Sequence, residues 1–336
     1  MLVVISFVLL FAPLFKKFRI FEKENLCANF MSMEYTTVLR AVAILMVMQQ
    51  HLSGFIFGSR IFTPFGGGGV AIFLIISGYG LTISTKNKGL TGFWKKKFVR
   101  VFIPWLFVWM VMTILQRENL VSYSSLSSLF LLNTTNWYLQ YLLLCYIVFY
   151  VCHKWVYNVR WLFMNSFFIL SFVLWGNIQA EQSCSFLIGC LIAENSKLVK
   201  WIVDHIKTML VVSAFIGVLF LAVKQLSFVR TLMDSVDLVD HALNMFMKTS
   251  IAISVMMIVS LLWSHINKSL AMFVGKMSYE LYLVHLFIVI GFCKMINNMP
   301  LVSILVFIVC SFALSYLLYL VDNKILALYK KSLKSI

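Results

Sequence analysis

Residues 39–51 read LRAVAILMVMQQH. Arg40 is the second residue of this run and His51 closes it, and between them only Gln49 and Gln50 are polar. Eleven helical steps of about 100° return to within roughly 20° of the start, so both side chains share one helix face. At about 1.5 Å per residue they stand about 16 Å apart along the axis, near half the thickness of a bilayer's hydrocarbon core. In a spanning helix the guanidinium meets water-borne anions at one surface while the imidazole lies deep. An ionisable group at that depth is costly, and its presence points to function. Imidazole can take a proton from an attacking hydroxyl. Arginine grips phosphate or carboxylate bidentately. The pair suits acyl transfer.

The rest of the chain has the composition of a membrane protein. It is 62% hydrophobic and 12% charged, with a mean hydropathy of +0.94, far from soluble-domain averages. The net charge of +16 falls in clusters between apolar runs, which encodes topology rather than nucleic-acid binding. Cys27, Cys145, Cys152, Cys184, Cys190, Cys293 and Cys310 are scattered, mostly inside apolar runs, with no CxxC. They read as small hydrophobes, and no metal site is expected.

Apolar runs predict an all-α polytopic bundle of ten core transmembrane helices. They cover 38–57, 67–84, 99–115, 137–152, 159–176, 182–193, 208–226, 246–265, 272–293 and 300–321. The sixth is short, as a tilted, broken or partly buried span would be. Lys16, Lys17, Arg19 and Lys23 precede the first span, and Lys86, Lys88, Lys95, Lys96, Lys97 and Arg100 follow the second. Lys154 and Arg160, then Lys197, Lys200 and Lys207, then Lys268 and Lys276 mark later even connections, and Lys324, Lys330, Lys331 and Lys334 close the chain. The alternate connections are poor in base or balanced by Asp234, Asp237 and Asp240. The positive-inside rule places both ends of the core in the cytoplasm of a cell membrane.

One membrane domain is expected over 31–323, with a basic tail over 324–336. Residues 1–30 form an extra apolar segment, an additional short span or an interfacial helix. Its positive flank follows the apolar run, unlike a signal peptide. The run MSMEYTTVLR offers an alternative start, which would make the first thirty residues dispensable.

The second span carries GGGGVAIFLIISGYGLT at 66–82, but no GK[ST] follows the glycines, so close helix packing is the better account of them. Ser77, Gly80 and Ser84 form a small-residue stripe on one face, and Ser77, Gly78 and Tyr79 are candidates to line a cavity beside His51. In WKKKFVRVFIP most lysines serve topology and attraction to anionic lipid. Arg100, one turn before Pro104, is assigned with Arg40 to a site for a phosphate-rich donor such as coenzyme A, and Lys97 is counted with them. Trp137, Tyr138 and Tyr141 open the fourth span, where both an aromatic belt and a sugar-stacking acceptor site fit them. Ser278, Tyr282 and His285 share a face of the ninth span and must look into the bundle, as a structural ladder or as substrate contacts. Glu280 is expected to pair with a surface base. HExxH, GxSxG and usefully spaced paired carboxylates are missing from the sequence.

These segments together resemble the acyltransferase-3 family of integral membrane acyltransferases, which acylate surface polysaccharides, lipid-linked sugars and related acceptors. The matching pieces are Arg40-x10-His51, GVAIFLIISGYGL, KKFVRVFIP, NWYLQYLLLCYIVFY, FLIGCLI at 186–192 and GKMSYELYLVH, in family order over about 30–322. The resemblance implies ten spans, acetyl-CoA or a related acyl-CoA as donor, His51 as the essential catalytic residue, and Arg40 and Arg100 serving the donor. The function expected is transfer of an acetyl or similar group to a hydroxyl of a cell-surface or exported glycan, with Ser77, Tyr79, Trp137, Tyr138, Tyr282 and His285 on the substrate side. The competing reading is a transporter or flippase for a lipid-linked sugar or small solute. No repeat and no matching pair of broken spans supports it.

Overall fold

The computed structural model describes residues 2–16, 30–115, 123–130, 137–291 and 299–332. Cys27, Cys293, most of the 116–136 connection, the end of the ninth expected span and the end of the basic tail lie outside the described residues. Every named element is helical, and one isolated antiparallel bridge joins Phe15 to Ile266.

In chain order the principal helices are α1 (Leu2–Phe11), α2 (Met33–Phe57), α3 (Thr63–Lys88), α4 (Phe93–Leu115), α5 (Trp137–Lys154), α6 (Arg160–Leu174) and α7 (Ser185–Glu194). They continue with α8 (Ile206–Val223), α9 (Asp237–Leu261), α10 (Lys268–Lys276), α11 (Ser278–Gly291) and α12 (Pro300–Ser332). Among the described residues seven helices are long and apolar enough to cross a membrane, and the bent pair α10–α11 makes an eighth. The protein is therefore a multi-pass membrane bundle, with fewer clear spans than the ten expected. The two remaining expected spans correspond to α5 and α7. Tyrosines, Gln140 and the terminal His153 and Lys154 make α5 less apolar than the others. α7 has only 10 residues, about 15 Å of rise, which is half a bilayer core.

α2 is the central strut. Ser32 caps it by accepting from the Tyr35 amide at 3.1 Å, and Gly58 ends it in the left-handed conformation that glycine adopts freely. Its residues from Tyr35 to Gln49 are buried, except that Arg40 and Val42 are partly exposed. Neighbouring helices reach it through glycine. A Cβ on Gly275 of α10 would lie 1.9 Å from the Thr37 carbonyl oxygen, one turn from Arg40. The glycine run at 66–69 packs α3 against Gln50, Lys248, Ile251 and Ala43, as close packing predicts. α3 and α7 approach each other through glycines on both sides: a Cβ on Gly78 would lie 2.1 Å from the Phe186 oxygen, and one on Gly189 would lie 2.0 Å from that of Ile75.

The short sixth expected span has a physical cause. The segment just before α7 is buried: Glu181, Gln182 and Ser183 are all at most 5% exposed. Non-helical backbone at membrane depth is tolerated where protein covers it. Here Glu181 pairs with Lys248 of α9, and Gln182 donates to the Gly67 oxygen at 3.0 Å.

α1 belongs to the bundle. Leu10, Phe11 and Leu14 are buried, and the Gln49 amide donates to the Ser6 hydroxyl at 3.0 Å. Phe7 and Phe11 stack at 4.5 Å and both contact Phe65 of α3.

Candidate functional site

Between α2, α3, α4, α5, α11 and α12 lies a cavity of about 850 Å³. It extends from the last turn of α3, at Lys88, to Tyr138 in the first turn of α5. Arg40, Lys88, Lys96, Lys97, Arg100 and Lys276 line it, with Glu280 and Asp322 as the acids. The balance is strongly cationic, which suits a polyanionic ligand.

The local folding places each cation. Arg40 turns back along α2: its Nε donates to the Thr36 oxygen at 3.4 Å, and its terminal nitrogen donates to the Thr37 hydroxyl at 3.2 Å. The remaining guanidinium donors stay free for a ligand. Arg100 sits in a π-helical turn, Phe98–Phe102, within α4. Pro104 follows, and its missing N–H withdraws the usual partner of the Arg100 carbonyl, so the helix widens there. Tyr279 of α11 donates to the Val101 oxygen in that turn at 2.8 Å and ties it to the cavity wall. Lys97 Nζ stands 4.2 Å from the Tyr146 ring centroid, a cation–π contact. Among the described residues Arg40, Lys97 and Arg100 make no ion pair, although the cavity holds two acids.

Ser77, Tyr79, Tyr138 and Tyr282 all line this cavity, as does the whole Ser77–Gly80–Ser84 stripe. The stripe serves as cavity wall, and Gly78 on the adjoining face makes the helix contact. Trp137, His285 and His51 are not in the wall. Trp137 meets Tyr138 edge to face at 6.1 Å. A row of rings links the cavity to the histidines: Tyr138 to Tyr282 at 5.0 Å, Tyr282 to His285 at 6.1 Å, and His285 to His51 at 5.2 Å. His51 therefore lies one ring beyond the cavity's end. It is partly exposed, and that exposed surface does not belong to the cavity around Arg40. Its ring makes no hydrogen bond among the described residues and stacks beside Phe55 at 6.0 Å. The arrangement is a basic pocket with an imidazole behind a thin aromatic partition.

Two features escaped sequence reading. Glu280 does not pair with a surface base: it is 7% exposed and faces Asp322 of α12, also 7% exposed. One Glu280 oxygen and both Asp322 oxygens lack a hydrogen-bond partner among the described residues. Linear spacing hides this pair, since its members lie on different helices. The second is the contact between His51 and His285, and its one signal was that both histidines fall inside apolar runs. Among the described residues no cluster of His, Cys, Asp or Glu could hold a metal ion.

No curated protein and no solved structure matches the chain. The acyltransferase-domain model of the acyltransferase-3 family matches residues 33–320. That match takes in α2 through most of α12, with Arg40, His51 and all but the edge of the cavity inside it; Met31 and Asp322 of the wall lie just outside. The basic pocket and its adjoining histidine thus belong to a membrane acyltransferase, and the chain is a member of the acyltransferase-3 family.

Proposed function

We propose that this protein moves an acetyl or similar acyl group from acyl-CoA to a hydroxyl of a cell-surface or exported glycan or lipid-linked sugar. The observation that carries the reading is the cavity lined by Arg40, Lys97 and Arg100, which make no ion pair among the described residues, ending one ring short of His51. Coenzyme A is a polyanion with a slender acyl-bearing arm. Its phosphates match the cations, and its arm can reach the apolar and aromatic part of the wall at Phe73, Tyr138, Leu142 and Tyr282. In the family's ten-span topology, with both ends of the core cytoplasmic, the cavity opens to the acyl-CoA pool.

The chemistry then divides between two sides. Arg40, Lys97 and Arg100 hold the donor's phosphates, while Ser77, Tyr79, Tyr138 and Tyr282 flank the thioester. The acceptor hydroxyl approaches His51 from the far side, with Trp137 near its entry. His51 takes the hydroxyl proton as the new C–O bond forms and the C–S bond breaks, and the proton ends on the departing thiolate. The thioester end of the arm and the hydroxyl meet at the aromatic partition, so that attack and departure of the thiolate occur in one place. The bilayer, the acyl-CoA and the glycan are the partners required, with no metal and no nucleic acid.

Membranes containing the protein are expected to incorporate label from acetyl-CoA into glycan. Mass spectrometry of the host's surface glycan is expected to lose an acyl mass when the gene is removed. Solute counterflow in proteoliposomes without any acyl donor, together with an unchanged glycan, would instead establish the transporter reading.

A further inference from the structure

His285 is 1% exposed. Its Nδ1 lies 2.8 Å from the carbonyl oxygen of Leu281. A carbonyl oxygen only accepts, so the hydrogen sits on Nδ1 and Nε2 carries a lone pair. That Nε2 is buried and has no hydrogen-bond partner among the described residues. A buried bare acceptor is costly unless something donates to it. The nearer ring with hydrogen to give is His51, whose centroid lies 5.2 Å away against 6.1 Å for Tyr282. Two imidazoles joined N–H to N have centroids about 5 Å apart, so a small rotation of His51 closes the bond.

We propose that His285 is a positioning residue for His51. Its Nε2 accepts the hydrogen from one His51 nitrogen, so the other His51 nitrogen keeps its lone pair for the acceptor hydroxyl. This rests on the proposed acyl transfer and supplies what a lone base lacks: a third group that fixes its tautomer and direction. When His51 takes the hydroxyl proton, both of its nitrogens carry hydrogen, and one of these stays held by His285. The first proton returns to the departing thiolate sulfur, so atoms and charge balance without a further reactant. The Leu281 carbonyl in the preceding turn of α11 locks His285 itself. The sequence pattern groups His285 with the substrate residues, whereas it stands behind Tyr282 and outside the cavity wall.

The test is a pair of variants in proteoliposomes. His285→Leu removes the acceptor and is expected to lower kcat at least 100-fold, with KM for acetyl-CoA within threefold of wild type. His285→Gln keeps an oxygen that can accept and is expected to retain at least a tenth of the wild-type kcat. Any other pattern, including a raised KM at unchanged kcat or an equal fall in both variants, overturns the proposal. A wild-type protein without transfer activity would sink the function but leave a second measurement standing. Nitrogen-15 spectra of histidine-labelled wild-type protein in nanodiscs are expected to show His285 with hydrogen on Nδ1 and His51 in a single tautomer. An Nε2–H tautomer at His285 overturns the proposal whatever the activity.

Discussion

Arg40 donates to two groups of its own helix and has no carboxylate partner among the described residues, so its charge is uncommitted. Arg40→Ala should raise KM for acetyl-CoA about 10- to 100-fold, the range of one or two charge-assisted hydrogen bonds, and leave kcat within a few-fold. Arg40→Lys should fall between, because a point charge cannot reproduce the planar fork. Steady-state kinetics at fixed acceptor checks both, and the defect should shrink in high salt, where wild type also weakens. At this scale the sequence was informative about residue type and depth. Arg40, Lys97, Arg100, Ser77, Tyr79, Tyr138 and Tyr282 line one cavity, which brings the expected donor cations together with residues expected on the acceptor side. It was blind to pairings between distant helices. Glu280 meets Asp322, and His51 meets His285, through a three-dimensional neighbourhood that no periodicity encodes.

The elements were legible where an apolar run coincides with a helix and less so where polar residues find partners. α9 starts at Asp237, well before the expected 246, because Asp237 and Asp240 favour a helix N-terminus. Its polar turns are also paired off, Asp240 and Asn244 with Lys224, and Lys248 with Glu181. A hydropathy reading stops at such residues although the helix does not. The ninth expected span divides into α10 and α11, bent by 71°. The bend brings the first turn of α11, with Ser278 and Glu280, into the cavity wall while Gly275 holds α10 on α2. The contact of α3 with α7 is the clearest target for mutation. Gly189→Val should overpack it and lower stability by about 1–3 kcal/mol, since the opposing atom is backbone and cannot turn away. A reduced melting temperature in detergent reports this. Gly80→Ala, facing open space one helical turn from Ser77, should leave that temperature unchanged.

The whole molecule raises a question about the first helix. Gln49 and Ser6 are each fully buried and bonded to one another. Deleting residues 2–16 should strand the Gln49 amide inside the bundle at a cost of about 1–3 kcal/mol, beside the lost packing of Leu10, Phe11 and Leu14. Gln49→Leu should recover part of that loss in the truncated chain and little in the full one, a double-mutant cycle readable by thermal unfolding. Residues 2–16 would then be part of the working bundle. Composition sufficed to identify a multi-pass bundle, but the role of α1 depends on one buried glutamine finding one serine.

The largest-scale feature is the separation of a cationic cavity from the histidine that would use its contents. Because His51 stands outside the cavity wall, donor binding and transfer should come apart in a single variant. The decisive measurement is coenzyme A binding by calorimetry together with acyl transfer, both on reconstituted His51→Ala. The expected result is affinity within threefold of wild type with transfer reduced at least 1,000-fold, the order lost when a general base is removed. Transfer that survives the substitution, or affinity that collapses along with it, would contradict a base held behind the partition.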